Sequence, residues 1–345
     1  EMAKPRIEDV ARLAGVSPKT VSRVVNREPN VKDATRERVE RAVAELGYRP
    51  DQFARNLASQ RARLIALVYD DPSAYEVPSS GYVIRLQQGT LRACRAANYE
   101  LLIHPCRYRS KDVVADLEAL IRHIRPTGVV LAAPLSNMPR IVDAIRASGT
   151  PLVRVSPGRP DGNHYCVATN DREISAEMTC YLASLGHRRI AFIKGNRQHK
   201  AVGNRYLGFV DGLRASGLEL EKNLVEQGDN SVGSGEACAW RLLRSTQPPT
   251  AVFAANDDMA AGVMRVAAQL GIEIPAQLSV AGCDDISLAR QIYPSLTTIR
   301  QPIAAMAELA TLALVDRSRK DSLRDGIAVV PAQLRIREST GPAPS

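Results

Sequence analysis

The 345 residues exceed what one hydrophobic core usually organises, so a small domain joined to a larger one is expected. Hydrophobic residues make up 45% and charged residues 24%, an ordinary globular balance, and no run approaches the roughly 18 consecutive apolar residues that a membrane helix needs. The formal charge is +9, and residues 1–63 hold 14 Lys or Arg against 9 Asp or Glu, so over half the excess lies in the first fifth of the chain and suggests a nucleic-acid partner.

The N-terminal residues are charged and include no apolar signal segment, so a cytoplasmic location is expected. The six cysteines, at 94, 106, 166, 180, 238 and 283, include no C-x-x-C pair. That scatter argues against a zinc site or a disulfide framework. Neither metal nor cofactor is expected.

Ile7, Val10, Ala11 and Ala14 recur at helical spacing and predict a short helix ending at Gly15. Ser17 is suited to an N-cap and Pro18 to the first position of a second helix. There Val21, Val24 and Val25 share an inward face, while Lys19, Thr20, Ser22, Arg23 and Asn26 face outward. A third stripe, Val39, Ala42, Val43 and Leu46, ends at Gly47. Two short helices joined by a Gly-containing turn form a helix-turn-helix whose second helix fits a major groove. A plain three-helix bundle with a solvated face is the alternative that periodicity leaves open.

The run Ile7-Glu8-Asp9-Val10-Ala11-Arg12-Leu13-Ala14-Gly15-Val16-Ser17-Pro18-Lys19-Thr20-Val21-Ser22-Arg23-Val24-Val25-Asn26 resembles the headpiece of the LacI/GalR repressor family. So do Leu46-Gly47-Tyr48-Arg49-Pro50 and Ala54-Arg55-Asn56-Leu57-Ala58. The resemblance implies base readout by Pro18, Lys19 and Arg23. Lys19 and Arg23 can donate to guanine O6 and N7, whereas Pro18 offers only apolar contact. Ser17, Thr20, Ser22 and Asn26 suit phosphate contacts, which fix register without reading sequence. Residues 51–59 correspond to a hinge helix, with Leu57 as a minor-groove wedge, Ala54 and Ala58 allowing close approach, and Arg55 and Asn56 near the backbone. The family usually has Asn where Asp51 stands, which bears on how that helix starts.

From residue 64 onward, apolar runs at 64–69, 100–104, 128–132, 152–155, 190–193, 251–254 and 280–282 alternate with helical segments. This pattern predicts parallel sheets covered by helices, in two lobes with a ligand between them at the carboxyl ends of strands. The segments Leu185-Gly186-His187-Arg188-Arg189-Ile190-Ala191, Asn204-Arg205-Tyr206-Leu207-Gly208-Phe209 and Ala255-Asn256-Asp257-Asp258-Met259-Ala260 resemble the family's effector domain. Val280-Ala281-Gly282-Cys283-Asp284-Asp285 and Leu296-Thr297-Thr298-Ile299-Arg300-Gln301-Pro302 extend the likeness.

The fold implied is an all-α helix-turn-helix headpiece joined by a hinge helix to a two-lobed α/β periplasmic-binding-protein-like (type I) domain. The corresponding division is 2–49 for the headpiece, 50–63 for the hinge and linker, 64–339 for the effector and dimerisation domain, and 340–345 for a tail. Within the large domain the N-lobe is expected at about 64–164 plus 300–326, and the C-lobe at about 165–299 plus 327–339. Carried over by position, the effector contacts are Asp70, Tyr82, Arg205, Asn256, Asp284 and Gln301. Carboxylate, amide, guanidinium and aromatic groups suit the hydroxyls and C–H face of a sugar. A lobe-internal salt bridge or cap is the alternative for these side chains. Asn230 stands where many members have an aromatic, Arg154 near an often acidic position, and Cys283 in place of a common aromatic. These departures predict a less stacked, more basic pocket, open to a sugar acid or a phosphorylated sugar.

Two rival readings come from the same pattern. An NAD-dependent oxidoreductase would need a Gly-rich turn after a strand, and the only candidate, Gly233-Ser234-Gly235, follows a polar loop. A transport-type sugar-binding protein would need a signal peptide and no headpiece. The sequence contains no G-x-S-x-G, H-E-x-x-H or P-loop motif, and the five histidines are scattered, so no enzyme is expected. The expected partners are a pseudo-palindromic operator, a small-molecule effector and a second copy of the chain. The family's tetramers use a C-terminal leucine heptad, and 338–345 contains no leucine, so the resemblance implies a homodimer.

Overall fold

The computed structural model describes residues 5–25, 31–48, 63–71, 81–158, 164–316 and 326–344. The chain divides into two units, Glu1–Ala62 and Arg63–Ser345.

In the first unit the three apolar stripes form α1 (Ile7–Ala14), α2 (Pro18–Val25) and α3 (Asp33–Leu46). Gly15, at φ 62°, ends α1 in the left-handed region that a glycine adopts without Cβ strain. Its N–H and that of Val16 reach back to the Arg12 and Ala11 carbonyls. The Ser17 hydroxyl accepts from the Thr20 N–H at 3.2 Å and starts α2. Val10, Ala11, Ala14, Val21, Val24, Val39 and Ala42 close the core. The alternation of these apolar positions with charged and hydroxyl ones leaves the outer face of α2 polar apart from Pro18.

The second unit contains two six-stranded sheets. The first is built from β1 (Leu64–Asp70), β2 (Glu100–Cys106), β3 (Gly128–Leu131), β4 (Leu152–Val155), β5 (Tyr165–Ala168) and a late strand, Gly326–Val329. Its spatial order is Gly326–Val329, β5, β4, β3, β1, β2, and every pairing is parallel. Parallel strands require crossover helices, and these cover both faces. On one face α4 (Gly81–Ala96) packs with a helix at Ile303–Val315; on the other lie α5 (Val113–Ile124) and α6 (Pro139–Ala147).

The second sheet contains β6 (Ile190–Lys194), β7 (Val225–Gln227), β8 (Ala251–Ala254), β9 (Ser279–Asp284) and β10 (Thr297–Arg300), with α7 (Asp171–Ser184), α8 (Lys200–Ala215), α9 (Val232–Leu243) and α10 (Asp257–Gln269) around it. A short helix, α11 (Leu288–Gln291), precedes β10. Phe192 anchors this core, stacked on Phe209 at 4.9 Å and edge-on to Phe253 at 5.1 Å.

After β10 the chain returns to the first lobe as α12 (Ile303–Val315) and β11 (Gly326–Val329), then crosses again to β12 (Gln333–Arg335), antiparallel to β10. The crossings are laced side by side. The Thr169 hydroxyl donates to the Val330 carbonyl at 2.7 Å, and the Ala332 N–H to Asn170 Oδ1 at 2.8 Å. Gln301 Nε2 donates to Asp171 Oδ1 at 3.0 Å.

The sheets set the lobe boundaries a few residues away from those expected. Val153 pairs with Tyr165, and Cys166 with Ile327, so 165–168 and 326–329 belong to the first sheet. The segment after β12 is pinned to the second lobe, with the Gly341 N–H on Ser279 Oγ at 3.0 Å and the Ala343 N–H on the Leu185 carbonyl at 2.8 Å. Among the described residues no helix is long and apolar enough to cross a membrane, and no His, Cys, Asp and Glu cluster has metal-binding geometry.

Candidate functional site

Two places concentrate chemistry. The first is the outer face of α2. Pro18, Lys19 and Arg23 are exposed there, with Lys19 and Arg23 one helical turn apart on the same face. Ser17 is exposed and bonded to the Thr20 hydroxyl at 2.9 Å; Thr20 and Ser22 are half-buried. Packing Val21 and Val24 against α1 and α3 therefore aims two cations at solvent. Asn26, Asp51 and the hinge residues Ala54, Arg55, Asn56, Leu57 and Ala58 lie outside the described residues.

The second is a cleft of about 430 Å³ between the lobes of the large unit. All six positions singled out in the sequence line it: Asp70, Tyr82, Arg205, Asn256, Asp284 and Gln301. Asp70 and Asp284 are the last residues of β1 and β9, the carboxyl ends where open α/β sheets present their loops. Tyr82 comes from the first turn of α4, Arg205 from α8, and Asn256 caps α10.

Arg205 is 6% exposed and held at three corners. Its Nε donates to Asp171 Oδ1 at 2.9 Å, Nη1 donates to the Ala255 carbonyl at 2.5 Å, and Nη2 lies 3.6 Å from Asp284 Oδ1. Burial opposes its charge, but the carboxylates of Asp171 and Asp284 outweigh it, so the guanidinium stays ionised. Asn256 accepts the Met259 N–H at 3.0 Å and donates from Nδ2 to the Asn230 carbonyl at 2.9 Å. Its amide thus serves as helix cap and cleft wall together.

Asp284 sits at φ 120° and Asp285 at φ 52°, both in the region that favours glycine. The strained turn is clamped from the first lobe: Arg85 donates to the Asp284 carbonyl at 2.8 Å and also to the Asp285 carbonyl. Burial raises the Asp284 carboxyl above its ordinary value, against the pull of Arg205. The neighbouring Asp257 is raised in the same direction, by burial first and by Asp284 next.

The Tyr82 hydroxyl is buried, and among the described residues it has no hydrogen-bond partner of full geometry; Ser156 is its polar neighbour across the wall. Burial pushes its phenol up to about 12. His199, at the start of α8, is lowered to about 4 by burial and by Arg205, so its imidazole is neutral at pH 7. Arg109, Ser156, Asn196, His199 and Asp229 also line the cleft and were not singled out in the sequence. Asn196 donates to Tyr108 Oη at 3.1 Å, a direct bond between lobes. The signal that could have found Asn196 and His199 is their place in the polar loop after β6, at a strand's carboxyl end.

Two of the departures read as pocket changes are not in the lining. Arg154 is 6% exposed and its Nε donates to the Ser136 carbonyl at 2.8 Å, which places it inside the first lobe. Cys283 is 1% exposed, with its Sγ 3.5 Å from Gln301 Nε2. Asn230 does line the cleft. Gly233 and Gly235 lie in the first turn of α9, where a Cβ on Gly235 would run into the Met259 backbone; Gly235 is a helix-packing glycine.

Residues 6–51 match the model of the bacterial regulatory proteins, lacI family, and residues 179–340 match that of a periplasmic binding protein-like domain. The chain is 36% identical over 320 residues to the HTH-type transcriptional regulator GalR of Escherichia coli (strain K12), covering 90% of this chain and 89% of that one. A solved complex of the transcriptional regulator CelR with cellobiose is 30% identical at a TM-score of 0.74, over 97% of this chain and 99% of that one. A lac repressor dimer bound to operator and the anti-inducer ONPF is 26% identical at a TM-score of 0.81, over 98% and 100%. With a helix-turn-helix whose second helix turns lysine and arginine outward and a two-lobed domain around a polar cleft, the chain belongs to the LacI family of DNA-binding transcription regulators.

Proposed function

We propose that the chain is a cytoplasmic homodimeric repressor of carbohydrate-utilisation genes, that it binds a pseudo-palindromic operator, and that a neutral sugar in the cleft controls that binding. Pro18, Lys19 and Arg23 read bases, while Ser17, Thr20, Ser22 and Asn26 hold phosphates. Ala54, Arg55, Asn56, Leu57 and Ala58 engage the minor groove. The chain acts by binding and not by catalysis. The likeness to GalR, to CelR with cellobiose, and to a lac repressor dimer on operator supports this reading.

The sugar reading rests on one observation above all: the buried Tyr82 hydroxyl, which among the described residues has no hydrogen-bond partner of full geometry, in a wall shared with Asp284 and Asn196. A buried polar group without a partner is costly, and a ligand hydroxyl would satisfy it. The charge inventory argues for a neutral ligand. Asp70, Asp229 and Asp284 face Arg109 and Arg205, and Arg205 is already matched by buried Asp171. An acidic sugar would meet a wall with excess negative charge. Arg154, which donates to the Ser136 carbonyl inside the first lobe, adds no charge to that wall.

The ligand touches side chains of both lobes, so its affinity depends on their angle, and operator and ligand alter each other's affinity by the same factor. Calorimetric titration of the full chain with a panel of neutral sugars and the matching uronic acids tests this. A neutral sugar should release heat that Arg205→Ala abolishes. Binding confined to uronic acids, or retained in both Arg205→Ala and Asp284→Ala, would contradict the assignment.

A further inference from the structure

A second cavity of about 450 Å³ opens beside the crossing at Arg300–Gln301–Pro302. Three guanidinium groups line it, those of Arg85, Arg290 and Arg300, against one carboxylate, Asp285. That carboxylate is already engaged: Oδ2 accepts from Arg300 Nε at 2.6 Å and Oδ1 from Arg337 Nη2 at 2.5 Å. Arg85 is engaged with the Asp284 and Asp285 carbonyls. Arg290 is exposed, and among the described residues no partner is found for it. The amide side chains of Gln88 and Gln333 complete the polar wall.

The start of α12 opens into the same cavity through Ile303, Ala304 and Ala305. Pro302 occupies the N-cap position and offers no side-chain bond, and no acidic residue stands in the first turn. The first helical bond runs from the Met306 N–H to the Pro302 carbonyl. The N–H groups of Ile303, Ala304 and Ala305 have no partner among the described residues. Unsatisfied amides and the positive end of the helix dipole favour an anion. The guanidinium cluster beside them adds forked donors of the kind that match phosphate oxygens.

We propose that this cavity is a second ligand site, separate from the sugar cleft, which takes the phosphate group of a small phosphorylated molecule. Arg290 and the outer edge of Arg300 donate to it from the second lobe, and the α12 amides donate from the first. Because both lobes contribute, occupancy depends on their angle. Gln301 lines both cavities.

Titration of the full chain with inorganic phosphate, at ionic strength held constant with chloride, provides the test. The wild type should bind phosphate in the millimolar range, and Arg290→Gln should weaken it about tenfold through the lost charge-assisted bond. Ala305→Asp should abolish binding, because a carboxylate in the first turn occupies the dipole end while favouring the helix. The exposed position of both residues keeps the fold intact, which a thermal melt checks. A phosphate heat that persists unchanged in both variants would belong to another basic surface, such as α2, and would overturn the proposal. So would the absence of any phosphate heat in the wild type.

Discussion

Arg205 and Asp171 form an ion pair whose side chains are 8% and 6% exposed, with Nε and Oδ1 2.9 Å apart. The pair ties α8 to the start of α7, and Gln301 adds a donor to the same carboxylate oxygen from the lobe crossing. Removing one partner of a buried pair leaves the other uncompensated, at a cost of about 3–5 kcal/mol. Asp171→Ala should therefore lower the denaturant midpoint of the large unit and loosen Arg205. An unchanged midpoint would show that solvent reaches the site.

Lys19 and Arg23 should separate from Ser17 by the kind of loss they cause. On the proposed base readout, replacing Arg23 with Gln or Lys19 with Ala should cost about 1–3 kcal/mol each at the cognate sequence. Ser17→Ala, which gives up the proposed phosphate contact and also the α2 cap, should weaken all duplexes alike. Gel-shift titrations on operator and scrambled duplexes check this. Equal losses on both duplexes for Arg23→Gln would remove it from base readout.

Leu57→Ala tests the wedge. The variant should keep the fold and sugar binding yet hold operator more than about tenfold less tightly, because the unstacked step is no longer filled. Equal affinity for both proteins would make Leu57 an ordinary packing residue.

The buried acids make stability depend on pH in a specified direction. Asp257 is raised above the ordinary 3.8, with burial the largest cause, so the folded state keeps a proton that the unfolded chain releases. Its contribution is fully present below 3.8 and is lost as pH rises through the folded value. His199 acts oppositely: lowered to about 4 from 6.5, it contributes above 6.5 and loses that contribution as pH falls toward 4. Above 6.5 the acid acts without that opposition. Asp257→Asn should gain on the wild type as pH rises from about 6.5 to about 8, whatever its offset at one pH. Parallel melting curves for the two proteins across that range would contradict the assignment.

The headpiece was legible because its order is local. Val10, Val21 and Val39 lie on stripes of helical spacing, and Gly15 and Ser17 supply the turn within a few residues. In the large unit the long apolar strands were legible, whereas β7 and β12, three residues each, carry too little pattern to be read. The cleft was legible where motifs supplied it, as with Asn256 and Asp284. Asn196 and Arg109 belong to loops without periodicity and reach the cleft only once the lobes face each other. Arg154 was misread because its acceptor, the Ser136 carbonyl, lies 18 residues away on another segment. The Arg205–Asp171 pair spans 34 residues and leaves no trace in spacing.

The three laced crossings have a consequence for how the molecule could be taken apart. A polypeptide ending at residue 168 would lack β11 at the sheet edge and α12 on its face, so the first lobe has no contiguous gene fragment that encodes it. A single backbone cut inside either lobe would still leave covalent strands joining the halves. Nicked protein should therefore migrate as one particle under native conditions and fall into pieces only when denatured.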